Sequence, residues 1–122
     1  MRDLLIYERG RKLTNSYYLI YRIAQKYPKD ELFGLTSQTR RAAVSVSSNI
    51  AEGFGRGTRK DKLQFYSIAR TSIAEVEDQL IVARDLAYIT DGVFNEAFAL
   101  AEEVVGLVVG LERSAADKHT QR

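Results

Sequence analysis

Residues 35–53 read LTSQTRRAAVSVSSNIAEG, and this stretch leaves little freedom of fold. At 3.6 residues per turn, Leu35, Thr39, Ala42, Ala43, Val46 and Ile50 fall on one side of a helix, and Gln38, Arg41, Ser45, Ser48 and Glu52 on the other. The apolar side is built mostly from Ala, Val and Ile, so a neighbouring backbone can come close. The polar side carries short groups suited to water or to a second subunit. A strand is excluded, because residues 44–46 are too short a β-like run and sit inside the helical period.

The rest of the chain repeats that period. Ile6, Gly10, Leu13, Tyr17, Ile20, Ala24 and Tyr27 alternate by fours and threes, a coiled-coil-like seam, until Pro28 removes the amide hydrogen a helix needs. Residues 29–34 are a connector. Thr36 or Ser37 can cap the second helix, and Gly53, Gly55 and Gly57 break it. Thr58, with Asp61 three positions on, starts a third helix expected to reach about Ile89. Its inner face is Phe65, Ile68, Ala69, Ser72, Ile73, Val76, Leu80, Ala83 and Ala87. Thr90 or Asp91 caps a fourth helix whose apolar residues cover roughly half its circumference, where one bundle core uses roughly a third. The surplus predicts burial of Val104, Val105, Leu107, Val108 and Leu111 against another subunit. Short connections predict an all-α, up-down-up-down antiparallel four-helix bundle over residues 1–113, with residues 114–122 as a flexible C-terminal tail.

Composition narrows the chemistry. Cysteine is absent, which excludes thiolate catalysis, disulfides and Cys-ligated zinc and fits a reducing, cytoplasmic setting. The N-terminal apolar run is too short for a signal peptide, and the apolar segment 104–111 falls well short of the roughly 20 residues that span a bilayer. Net charge is +2, but Arg and Lys crowd the N-terminal half and acidic residues the C-terminal half, which permits a basic patch.

No constellation points to catalysis. The one histidine, His119, falls in the expected tail, and no Glu-x-x-His pair is present, so neither a metal nor another cofactor is called for. Glu75 with Glu77, and Glu102 with Glu103, point in different directions at their spacings and read as solvated charges. The segment GFGRGTRK, residues 53–60, lacks the strand and the Lys-Ser/Thr of a phosphate loop. It reads as a helix-breaking linker or, through free amides at the start of the third helix near Arg56, Arg59, Lys60 and Lys62, as a contact for phosphate. Asn49, Ser72, Glu75 and Gln79 interrupt apolar faces and imply an inter-helix hydrogen-bond network involving Arg40 or Arg41, with a ligand site as the alternative. Glu52 and Arg56, one turn apart, form a surface pair. Of the N-terminal tyrosines, Tyr17 lies on the seam, whereas Tyr7 and Tyr18 lie off it and suit a partner surface.

The series GLTSQTRRAAVSVSSNIAEGFGR, FYSIARTSIAEVEDQL and DLAYI (residues 34–56, 65–80 and 85–89) resembles a bacterial four-helix-bundle family. That family is named for 23S ribosomal RNA intervening sequences and is also labelled S23 ribosomal protein. Ser45 and the run Asn49-Ile50-Ala51-Glu52-Gly53 carry the signature. The chain departs from it at Ser47, where many members have a helix-kinking proline, and at Thr71, where glycine is common. The resemblance implies a cytoplasmic bundle assembled as a ring-shaped homo-oligomer, a homopentamer, encoded in insertions within ribosomal RNA genes or elsewhere. A related bundle, the accessory variability protein of diversity-generating retroelements, engages nucleic acid and a reverse transcriptase, so a reverse transcriptase partner follows by fold-level analogy alone.

The expectation is therefore a non-enzymatic oligomer that contacts RNA or DNA phosphates through Arg40, Arg41, Arg56, Arg59, Lys60 and Lys62. The alternative is a protein-interaction scaffold with no nucleic-acid role.

Overall fold

The computed structural model describes residues 16–17 and 19–120, with side chains to residue 116. Among these residues the regular structure is all helical: α1 (residues 16–17 and 19–24), a 3-10 turn at Lys29–Glu31, α2 (Leu35–Gly55), α3 (Arg59–Asp85) and α4 (Asp91–Thr120), with no strand. None of these helices is long and apolar enough to cross a membrane.

Each helix buries one stripe, and every stripe advances by threes and fours. In α1 and the turn after it the stripe is Ser16, Ile20, Ile23 and Tyr27; in α2 it is Thr36, Thr39, Ala43, Val46, Ile50 and Gly53. In α3 it is Tyr66, Ala69, Ile73, Val76, Leu80 and Ala83, and in α4 Phe94, Ala97, Ala101, Val104, Val108, Leu111 and Ala115. A mean spacing near 3.5 keeps such a stripe on one side of a helix for its whole length. The stripes merge into two clusters. One joins the C-terminal part of α1, Ala42 and Ala43 of α2, Val76, Leu80 and Ala83 of α3, and Phe94 and Ala97 of α4. The other joins Val46 and Ile50 to Tyr66, Ala69 and Ile73 and to Ala101, Val104, Val108, Leu111 and Ala115. Between them lies a cavity of about 30 Å³, room for one water.

Ile20, Ala24 and Tyr27 occupy the seam as expected and Tyr17 packs at its edge; Ile6, Gly10 and Leu13 lie outside the described residues. Several boundaries differ from the sequence expectation. Neither Thr36 nor Ser37 caps α2, which starts at Leu35; Thr36 is buried instead, and the Leu35 amide donates to Glu31 Oε1 at 3.5 Å. The same carboxylate accepts from the Tyr88 hydroxyl at 2.8 Å, so Glu31 ties the first connector to the last. α2 runs unbroken through Ser47 and past Gly53 to Gly55.

Gly53 is a packing residue and not a breaker, because a Cβ there would lie 2.5 Å from Tyr66 Cε1. The end of α2 is held by Lys62, whose Nζ donates to the Gly53 and Phe54 carbonyls at 3.2 and 3.0 Å. Thr58 caps α3 as its spacing predicts, Oγ1 accepting from the Asp61 amide at 3.2 Å. Thr90 caps α4 by accepting from the Val93 amide at 3.1 Å.

α3 ends at Asp85, short of Ile89, and Ala87 is exposed where the expected inner face had it buried. Tyr88 N–H reaches back to the Ala83 carbonyl and Ala87 N–H to that of Arg84, the paired bonds of a Schellman end, with Ala87 in the left-handed region at φ 62°. α4 continues beyond residue 113, where the sequence placed the start of a tail, because Ala115 extends the buried stripe. The apolar surplus of α4 is also used within the chain. Val104, Val108 and Leu111 are buried core, and Val105 and Leu107 are half-buried against it, so three of the five are taken up by this chain's own core.

Two substitutions test these contacts. Gly53→Ala drives a methyl into the Tyr66 ring and is expected to cost about 1–3 kcal/mol in urea unfolding, beyond the roughly 1 kcal/mol that alanine gains in helix propensity. A midpoint at or above wild type would refute the close approach. Ala87→Gly relieves the left-handed alanine and is expected to stabilise by about 1 kcal/mol, read as a higher thermal midpoint.

Candidate nucleic-acid interface and polar groove

The six basic residues singled out from the sequence divide into two places and several roles. Arg40 and Arg41 lie in the first part of α2, and the helical rise separates Arg41 from Arg56 by roughly 22 Å along the axis, so the six do not form one patch. Arg40 lies over the Tyr21 ring, its Cζ 4.5 Å from the centroid, with Nε shielded from solvent and unpartnered. Arg56 pairs with Glu52 at 3.1 Å, the expected one-turn bridge, and covers the Phe65 ring at 4.8 Å. Lys62 is committed to closing α2.

Arg59 and Lys60 are different. They are exposed, make no ion pair among the described residues, and stand in the first turn of α3, where amides and the helix dipole add positive potential. Phe54, near the end of α2, is 54% exposed, with the Lys62 ammonium 5.9 Å from its ring centroid. Sequence reasoning passed over this aromatic. Its signal is a bulky ring between two glycines, two residues before an arginine.

The polar network is real but smaller than expected. Ser45 Oγ and Ser72 Oγ are 2.8 Å apart across α2 and α3, and Asn49 Nδ2 donates to the Ser45 carbonyl and Oγ at 2.8 and 3.1 Å. Ser45, on the outward face of the predicted second helix, is therefore its hub. Glu75 and Gln79 make no hydrogen bond in it. They line a groove of about 500 Å³ with Gln38, Arg41, Ser45 and Ser72, and Gln79 Oε1 is shielded there without a partner. Arg40 points to Tyr21 instead, and Arg41 makes no ion pair among the described residues. Tyr17 stacks on Tyr21 at 5.9 Å, while Tyr7 and Tyr18 lie outside the described residues, as does the His119 side chain.

Burial raises the pKa of Tyr27 and of Tyr66, with the Thr39 hydroxyl opposing the effect at Tyr27. The bond to the Glu31 carboxylate raises that of Tyr88. Glu77 and Glu102, read from sequence as separate solvated charges, meet across α3 and α4. Desolvation, and then the adjoining Glu102 carboxylate, push Glu77 up to about 7. Its Oε2 is shielded and without a partner. Among the described residues no three carboxylates or imidazoles converge to hold a metal.

The folded chain thus keeps the Glu77 proton to about pH 7, whereas the unfolded chain releases it near 4.5, so stability falls as pH rises through that window. Glu77→Gln, which keeps a donor at every pH, is expected to flatten that fall in urea midpoints taken below and above the window. An unchanged slope would show that the two carboxyl groups do not share a proton.

Comparison with known proteins agrees with this architecture. No curated protein matches the chain. A 1.70 Å crystal structure of a protein of unknown function from the S23 ribosomal protein family of Bacteroides thetaiotaomicron is similar at 21% identity. The match covers 87% of this chain and 93% of that one, with a TM-score of 0.65, a likeness of fold. Residues 2–110 match the family described as 23S rRNA-intervening sequence protein, which spans most of the chain. A match over that much of the chain shows its family: the chain belongs to the 23S rRNA-intervening sequence protein family.

Proposed function

We propose that this protein is a non-enzymatic, cytoplasmic homo-oligomer that binds the phosphate backbone of RNA or DNA at the start of α3. The bundle runs up-down-up-down and closes into a ring, a pentamer on the family resemblance. The observation that carries the reading is the pair Arg59 and Lys60, two exposed cations without ion-pair partners among the described residues, on the first turn of a capped helix. Helix amides and basic side chains together favour an anion. Phe54, exposed across the α2–α3 connection, offers a face on which an unpaired base can stack. One such corner is weak. Several corners presented by one assembly raise the effective concentration of each next contact. The family's description, which refers to 23S rRNA, supports a nucleic-acid setting.

A second reading, a protein-interaction scaffold, is favoured by the other end of the bundle, where Phe33 is 93% exposed. Filter binding of the full chain to a structured RNA across a salt series separates the two. Phosphate contact predicts a steep loss of affinity with salt, and a shallower slope with at least tenfold weaker binding when Arg59 and Lys60 both become Ala. Absence of binding at low salt would leave the scaffold.

A further inference from the structure

We infer that the corner where α2 meets α3 selects unpaired strands, RNA and DNA alike, over duplex, an inference that rests on the phosphate reading above. The Phe54 ring takes a base, and Arg59 and Lys60 take phosphates of the same strand. Cations alone attract any phosphate chain, and a duplex, with more charge per unit length, attracts them more. An exposed ring adds affinity only for a base that is free of its partner strand.

Phe54 is built as such a ring. It is more than half exposed although it lies in the last turn of α2. Its chain neighbours are Gly53 and Gly55, so neither covers it with a side chain, and a Cβ added at Gly55 or Gly57 would meet nothing within 4 Å. The connection is therefore open to an incoming strand. Its backbone is already fixed, because Lys62 Nζ donates to the Phe54 carbonyl at 3.0 Å and to that of Gly53 at 3.2 Å. Little freedom is left for binding to remove. The same ammonium lies over one side of the ring, and a base on the other side completes a stack of cation, ring and base.

Lys62 also brings the cations to the ring. It follows Arg59 and Lys60 on α3, so its two bonds to the end of α2 hold the first turn of α3 against that end. From residue 52 to residue 62 the four cations Arg56, Arg59, Lys60 and Lys62 outnumber the two acids Glu52 and Asp61, and Glu52 is paired with Arg56. Two other rings compete less well. Phe65 is half-buried under the Arg56 guanidinium. Phe33, at the other end of the bundle, follows Asp30 and Glu31, whose charges oppose a phosphate chain.

The chain contains no tryptophan, so full-length Phe54→Trp carries a single reporter at the ring. It is titrated with oligouridylate and oligothymidylate of equal length, with each as a duplex, and with an abasic sugar-phosphate strand that keeps the charge and lacks the bases. Both single strands are expected to bind alike and to quench the tryptophan, and the duplexes and the abasic strand to leave it unquenched. By fluorescence anisotropy the wild-type chain is expected to hold either single strand more tightly than the abasic strand or the duplexes. Phe54→Ala is expected to weaken the single strands about tenfold, with duplex affinity and salt slope unchanged because the ring bears no charge. Abasic or duplex strands bound by wild type as tightly as oligouridylate, single-strand affinity unchanged in Phe54→Ala, or binding confined to one of the two single strands would overturn the inference. The double variant Arg59→Ala, Lys60→Ala is expected to weaken every strand, the abasic one included. If it does so while Phe54→Ala changes nothing, the phosphate reading stands and the selection of unpaired strands falls; if no strand binds at low salt, both fall.

Discussion

Close approach of small residues along the three-and-four stripe is the constraint on which this structure rests. Ala42, Ala43 and Gly53 of α2, Ala69 and Ala83 of α3, and Ala97 and Ala101 of α4 are all buried. With so little side chain at those positions, neighbouring backbones come near and larger groups elsewhere fill the remaining space. Tyr66 against Gly53 is the clearest case, with an aromatic ring lying where any other residue would carry its β-carbon. Interiors packed at crystal-like density do not absorb an added methyl freely. Register between α2 and α3 is thus set by shape at one end and by the Ser45–Ser72 hydrogen bond near the middle.

Helix ends decide which polar groups remain for binding. Glu31, Thr58, Lys62 and Thr90 all satisfy terminal backbone groups, and Glu31 also accepts from Tyr88. Each of these charges or hydroxyls is removed from the inventory of possible ligand contacts. Stacking on Tyr21 and pairing with Glu52 similarly engage Arg40 and Arg56. What is left is asymmetric: a basic corner at Arg59 and Lys60, and an unmatched polar groove around Arg41, Glu75 and Gln79. These lie in different parts of the α2–α3 pair, the corner past the C-terminal end of α2 and the groove along its first half.

Between α3 and α4 the electrostatics are mixed. Arg70 and Glu112 form a bridge at 3.4 Å, whereas Glu77 and Glu102 place two acids together with no cation between them. Two carboxylates in a partly desolvated seam cannot both hold charge cheaply, so one keeps its proton. That pairing joins residues 25 positions apart in sequence, and no spacing rule within a single helix would find it.

Local periodicity determined that the chain is helical, where Pro28 and the Thr58 cap interrupt it, and which family it resembles, because these depend on neighbours within a few turns. The signature at Ser45 and Asn49 was readable as polar residues on a helix, though not as one hydrogen-bonded unit with Ser72. Only tertiary structure decided that Gly53 packs and does not break α2, that Val104, Val108 and Leu111 belong to this chain's own core, and that Lys62 closes α2. It also decided that Ile68 faces outward and Tyr66 inward. The physical reason is common to all of these. A helical pattern assigns residues to faces with an uncertainty of about half a turn, and what each face touches is settled by the other helices.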